Sequence, residues 1–191
     1  MKHRMRLASG LLAAGLVALV ASAAAPAQET ASGVLVRIYD VAEALRELPE
    51  LVDGELPSVV RMSPTIDLHS DRKDFGEREG SFITEVVGRL KVDEKGKYVF
   101  RLTSDDGAKL WIGGELVVDH DGVHGPTLMA GARELDAGEH DLRILHFNAY
   151  GGAVLRLEWQ PPQAPDERFE IVPASALLPG AVNIEHFYPA A

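Results

Sequence analysis

The sequence contains no cysteine. That excludes disulfides, iron–sulfur clusters, thiolate zinc sites, a cysteine nucleophile and a lipidated N-terminal cysteine. Positive charge is also scarce. There are 19 Lys and Arg against 29 Asp and Glu, a formal charge of −10. Nucleic acid and anionic membrane both need a positive surface, so neither is an expected partner. No G-x-S-x-G element, Walker loop or dinucleotide fingerprint occurs. Internal repeats are absent too. What is present suits a folded globular chain: 191 residues, 46% hydrophobic and 25% charged, enough for one domain with tails.

Residues 1–27 read as a secretory leader. Lys2, Arg4 and Arg6 form a basic start, Leu7 to Val20 is apolar, and Ala25-Pro26-Ala27 fits a small-x-small cleavage pattern before Gln28. The apolar run is short for a span of ~20 residues, and no later run is long enough to cross a membrane. The expected location is therefore the periplasm or the medium. A mature domain of this size buries roughly 70% of its unfolded surface, so it can fold there without disulfides.

Beyond the leader, apolar residues alternate with a period of two, which is the strand signature. Val34, Val36 and Ile38 share one face, as do Val86, Leu90 and Val92, then Tyr98, Phe100 and Leu102. Leu110 and Ile112 precede Gly113-Gly114, a two-residue hairpin signal, and Leu116 to Val118 follows. Leu142, Ile144 and His146 form another such row, and Ala153, Leu155, Leu157 and Trp159 the last. Turn residues separate the runs at Asp105-Asp106-Gly107, Asp121-Gly122, Ala137-Gly138 and Gly151-Gly152. The pattern predicts an all-β, antiparallel β-sandwich or barrel. One short helix is expected over Val41 to Leu48, stopped by Pro49. Residues 51–80 read as a long surface excursion, Phe169, Ile171 and Val172 as a further strand, and the rest of 163–191 as a C-terminal extension.

Gly96-Lys97-Tyr98-Val99-Phe100, then Ser104-Asp105-Asp106-Gly107, an apolar strand and Gly113-Gly114 closely resemble the PA-14 domain, named after anthrax protective antigen. Val118 to Gly125, Leu135 to His140 and Leu155-x-Leu157-x-Trp159 resemble later elements of that family in order and spacing. The resemblance covers roughly residues 33–162. It implies a β-sandwich, in agreement with the alternation. The family also occurs in flocculins, adhesins and some glycosidases.

Successive side chains of a regular strand point to opposite faces, so Asp105 and Asp106 can share an ion only where the backbone is irregular. Read alone, the four residues Ser104 to Gly107 are a turn. The resemblance implies an ion site, with a cis peptide between the two Asp residues and Ca²⁺ held by hard oxygens. By the same resemblance Asn148 supplies a side-chain oxygen, and Tyr150 and Gly152 supply carbonyls. The open face of the ion would then take two neighbouring sugar hydroxyls. Tyr150 is a candidate to stack on the sugar, and Asp121 and His124 are candidates to line the rim. Each of these also reads as an ordinary loop residue.

Other chemistries fit less well. His120-x-x-x-His124 has zinc-ligand spacing for a helix but sits in turn-like sequence without the Glu of H-E-x-x-H. A glycosidase needs two facing carboxylates about 5–10 Å apart. PA-14 domains of glycosidases stand beside a separate catalytic domain, for which residues 28–191 leave no room. The expectation is thus a non-catalytic, calcium-dependent carbohydrate-binding domain. The alternative is a structural or adhesive protein-interaction module on the same sandwich. Phe187-Tyr188 in the C-terminal extension is a candidate contact for a protein partner.

Overall fold

Alternation leaves each strand with one apolar face, and a sheet built from such strands has to bury that face against another. The computed structural model describes residues 32–51, 54–78, 80–165 and 168–180. It holds twelve strands: β1 (Val34–Asp40), β2 (Val59–Ser63), β3 (Asp67–His69), β4 (Phe82–Val92), β5 (Gly96–Asp105), β6 (Ala108–Ile112), β7 (Glu115–His120), β8 (Thr127–Leu135), β9 (Gly138–Asn148), β10 (Val154–Gln160), β11 (Glu170–Ile171) and β12 (Leu177–Pro179). One sheet runs β2-β1-β4-β9-β6-β7, with β12 also paired to β4. The other runs β11-β10-β5-β8, with β3 also paired to β10. Every pairing is antiparallel. The expected antiparallel β-sandwich is what forms.

The core lies between the sheets and is built from the predicted faces. Val34, Val36 and Ile38 of β1, Val86 and Leu90 of β4, and Leu142 and Ile144 of β9 are buried on one side. Tyr98, Phe100 and Leu102 of β5, with Leu155, Leu157 and Trp159 of β10, meet them from the other. Gly113 and Gly114 both take positive φ, as a two-residue hairpin turn between β6 and β7 requires. Gly131 is where the two sheets come together at one margin. A Cβ there would stand 2.0 Å from the Val117 carbonyl oxygen, so only glycine fits.

Three expectations need correction. No α-helix forms over Val41 to Leu48, and the described residues hold only two 3₁₀ turns, at Ser70–Arg72 and Ala174–Ala176. Val41, Leu45, Leu48 and Leu51 instead lie over Tyr39, Ile83, Phe147 and Ala149. The Leu48 N–H donates to Asp121 Oδ1 at 2.9 Å rather than to a carbonyl one turn back. Tertiary contacts have taken over an apolar spacing that suited a helix. The described part of residues 51–80 is no surface excursion either. It supplies β2 and β3, and Ile66, Leu68 and Phe75 enter the core. These strands have five and three residues, too few for alternation to show.

The further strand expected around Phe169, Ile171 and Val172 forms as β11, paired with β10. The described chain after it is no tail, since β12 pairs with β4 and Val172 and Leu177 are fully buried. The leader 1–27 and the Phe187-Tyr188 pair lie outside the described residues. Among the described residues no helix is long and apolar enough to cross a membrane.

Candidate functional site

Three connections pass from one sheet to the other at the same end of the sandwich. Asp106 and Gly107 link β5 to β6, residues 121–126 link β7 to β8, and residues 149–153 link β9 to β10. The register shows why they meet. Asp105 lies opposite Val154, Ser104 opposite Thr127, and Ala108 opposite both His120 and His146. The crossing is tight around Gly107. The Asp106 N–H donates to the Phe147 carbonyl at 3.0 Å and the Phe147 N–H to the Gly107 carbonyl at 3.0 Å, which carries the β6–β9 ladder past its last residue. The peptide bond between Asp105 and Asp106 is cis.

Asp106 is buried at the centre of this crossing, 4% exposed. Its Oδ1 accepts the His124 N–H at 3.0 Å and its Oδ2 accepts the Ala149 N–H at 2.7 Å. One carboxylate therefore ties the β7–β8 and β9–β10 connections together. Asp105 differs. Among the described residues its carboxylate has no hydrogen-bond or ion-pair partner, while its carbonyl accepts from His146 Nε2 at 2.9 Å. Burial raises the Asp105 pKa above the usual carboxylate value, the adjacent Asp106 charge adds to this, and His124 opposes it.

Asn148 closes β9 and is 1% exposed. Its carbonyl accepts the Ser81 hydroxyl at 2.7 Å, yet its side-chain Oδ1 is buried with no partner. An orphaned buried oxygen of this kind costs about 1–3 kcal/mol unless something fills its coordination. Asp105, Asp106 and Asn148 are all hard oxygen donors, and each Asp106 oxygen keeps a lone pair beyond the N–H it accepts. The donor set fits a hard divalent cation. Among the described residues no group of three or more His, Cys, Asp and Glu could hold a metal, so any ion here would rely on amide or carbonyl oxygen as well.

The remaining expected residues sit on the same end but are not all equally available. Tyr150 is 65% exposed, at the tip of the β9–β10 connection. Gly152 follows it, and the far end of that connection is pinned by Ser70, whose N–H donates to the Ala153 carbonyl and whose Oγ accepts the Ala153 N–H, both at 3.0 Å. Asp121 is engaged by the Leu48 and Gly122 N–H groups and by Lys109 Nζ at 3.0 Å. Burial pushes its pKa up, but the Leu48 N–H, Lys109 and the Gly122 N–H together hold it below the usual carboxylate value. His124 presents its ring nitrogens to the Gly125 and His120 carbonyls and stacks on the His120 ring at 4.0 Å. Stacked face to face, the two imidazoles do not converge on a common metal position.

His146 and Ser70 are site residues that the sequence does not single out. His146 takes an inward position in the β9 alternation and so reads as packing. It is fully buried against Phe75 and Phe82. A carbonyl only accepts, so Nε2 carries the proton that holds Asp105 in place. Burial pushes the His146 pKa down to about 4, against the opposing pull of the Asp105 carbonyl and the Asp106 charge. The unfolded chain binds a proton near pH 6.5, above the folded value. Stability is therefore full above that pH and falls as pH drops toward 4, by on the order of 3 kcal/mol from this group alone. His146→Gln is expected to flatten that fall in urea unfolding measured in EDTA between pH 7 and pH 5. An unchanged slope would remove His146 as its source.

The PA14 domain family matches residues 30–170. An anti-sigma-I factor, RsgI3, of Acetivibrio thermocellus is 26% identical over 128 residues, which is 63% of this chain and 19% of that protein. The chain thus spans about a fifth of the length of that relative. Among solved structures, the PA14 sugar-binding domain from an RTX adhesin superposes with a TM-score of 0.66 at 19% identity, covering 78% of this chain and 99% of that one. The Epithelial Adhesin 9 A domain from Candida glabrata, in complex with Galb1-3GlcNAc, gives 0.58 at 12% identity over 81% and 91%. With most of its length matched by the family and its sandwich shared with these structures, the chain belongs to the PA14 domain family.

Proposed function

We propose that this chain is an exported, non-catalytic carbohydrate-binding domain in which Asp105, Asp106 and Asn148 hold Ca²⁺ and sugar hydroxyls dock on the ion's open face. The observation that carries this is the pairing of an unpartnered Asp105 carboxylate with an orphaned, buried Asn148 Oδ1 where three connections converge. Hard, partly buried oxygens in an acidic protein are the donors that calcium takes in flexible geometry. The carbonyls of Tyr150 and Gly152 are the further donors in this reading. Bound, the ion would supply two coordination places for a diol. Tyr150, exposed at the tip of its connection, would stack on a sugar face in this reading, and Asp121 and His124, on the β7–β8 connection at the same end, would line the rim. The sugar-binding adhesin domain and the glycan-bound adhesin support a glycan as the ligand. Adhesin relatives also support a location outside the cell, reached by way of the residue 1–27 leader.

One observation favours a second reading, an assembly module without a sugar site. Asp106 already joins the two connections through its own hydrogen bonds, so the pair has a structural use independent of ligand. A glycan array probed in calcium and in EDTA, with Asp105→Ala alongside, separates the two. The lectin reading predicts binding in calcium that weakens at least about tenfold in EDTA and in the variant, with the fold intact. Glycan binding that persists in both would sink the ion mechanism. No glycan binding under any condition would leave the assembly reading.

A further inference from the structure

β8 forms a margin of the smaller sheet. β5 pairs with it on one side, and among the described residues no strand pairs with it on the other. Exposed edges invite pairing with another chain, and proteins blunt them with charge, proline, bulges or brevity. The other margins show such devices: β11 has two residues, β2 has five with Arg61 among them, and β7 carries Glu115, Asp119 and a register shift against β6. β8 has nine residues in unbroken register with β5. Its first six, Thr127 to Ala132, include no charge and no proline. Leu128 is 44% exposed and Met129 41%, and Leu116 on β7 and Val123 just before β8 are about half exposed, at 49% and 50%. A row of large apolar groups along one side of a monomer marks an interaction surface.

We propose that β8 is a homotypic interface, to which a second copy of this chain adds its own β8 in antiparallel pairing. The occupant follows from the strand's self-complementarity. With Ala130 on the two-fold axis, Leu128 lies opposite Ala132, Thr127 opposite Arg133, and Met129 opposite Gly131, whose face Val117 of β7 already covers, so Leu128 meets a small side chain, Met129 packs beside β7, and no like charges face each other. Charge restricts where two copies can meet. Two chains of formal charge −10 repel over most of their surfaces, and this uncharged strip, ended on each copy by Arg133, is where they can approach. Pairing would satisfy the free backbone edge of both copies and cover Leu128 and Met129.

The test uses the protein expressed with its whole sequence, followed by sedimentation velocity over a concentration series. The wild type is expected to dimerise. Ala130 is exposed, so Ala130→Lys and Ala130→Glu should each fold normally while placing like charges on the axis, weakening the dimer about 100-fold. An equimolar mixture of the two places Lys opposite Glu, and native mass spectrometry should then show a heterodimer. Leu128→Thr, which keeps strand propensity, should weaken the dimer by about tenfold if the charged variants fail to fold. A wild type that stays monomeric throughout overturns the proposal, including one that captures an extended peptide on β8 instead. A dimer that survives Ala130→Lys also overturns it, because that dimer uses another face.

Discussion

Asp106→Ala is expected to destabilise the protein by about 3 kcal/mol even in EDTA, and to remove calcium binding. The estimate follows from what the carboxylate holds. It accepts one N–H from the β7–β8 connection and one from the β9–β10 connection, and the Ala149 donor is buried. Alanine accepts neither. A buried donor left unpaired costs about 1–3 kcal/mol, and here there are two, offset in part by movement of the His124 segment toward solvent. Asp106→Asn keeps one acceptor but turns an NH₂ toward the other N–H, so it should fall between wild type and alanine. Urea unfolding in EDTA reads the first effect, and the same variants under calcium read the second. A loss below about 0.5 kcal/mol for alanine would mean that the carboxylate is not the tie between the connections. Asp105→Ala is the natural contrast. Its carboxylate holds no partner, so in EDTA the variant should be as stable as wild type or more so, because a desolvated charge beside Asp106 is removed.

Gly107→Val should be as damaging, through sterics alone. A Cβ at this position would stand 2.6 Å from the Phe147 ring and 2.7 and 2.9 Å from the Gly122 nitrogen and oxygen. The Phe147 ring is fully buried, and Gly122 presents backbone, so neither yields without moving the β7–β8 connection. Overpacking of this kind costs about 1–3 kcal/mol, and the two extra methyls of valine place it at the upper end. Because the displaced connection carries the His124 N–H bound to Asp106, calcium affinity should fall together with stability. Gly122→Ala is the control. Nothing lies within 4 Å of its Cβ, and the cost there arises only from its φ of +109°. Thermal unfolding of both variants checks this. Wild-type stability in Gly107→Val would mean that the crossing yields to a side chain without cost.

These variants also mark what can be read without the structure. The strands that turn alternate residues to the core are legible, because a period of two needs only a few repeats of the pattern: β1, β4, β5, β9 and β10 all follow it, even where the second face of β1, β4 and β9 is covered too. β8 is not legible. It lies at a margin with both faces largely exposed, so burial imposes no alternation on Thr127 to Ala132. β3 and β12 have three residues each and are set by pairing, not by pattern. The helix expected over Val41 to Leu48 fails for the opposite reason. Its apolar spacing is real but is satisfied by docking on Tyr39, Ile83 and Phe147 in irregular backbone.

At the site, the adjacent aspartates stand out in sequence because two neighbouring carboxylates on a strand have no common target unless the chain turns there. Their partners come from residues 18 to 43 positions away, His124 and Ala149 for Asp106 and His146 for Asp105, and no local pattern announces such pairs. His146 is concealed most fully. A histidine in an inward row with Leu142 and Ile144 looks like packing, and its bond to the Asp105 carbonyl shows only in three dimensions.

If Asp105, Asp106 and Asn148 form one calcium site, calorimetric titration of Ca²⁺ into EDTA-stripped protein beginning at Gln28, beside Asp105→Ala, reads it. One saturable site is expected in the wild type and none in the variant. Absence of binding at about millimolar Ca²⁺, the weak end of extracellular calcium modules, would contradict it, and would leave Asp105-Asp106 as a turn whose carboxylate only ties two connections.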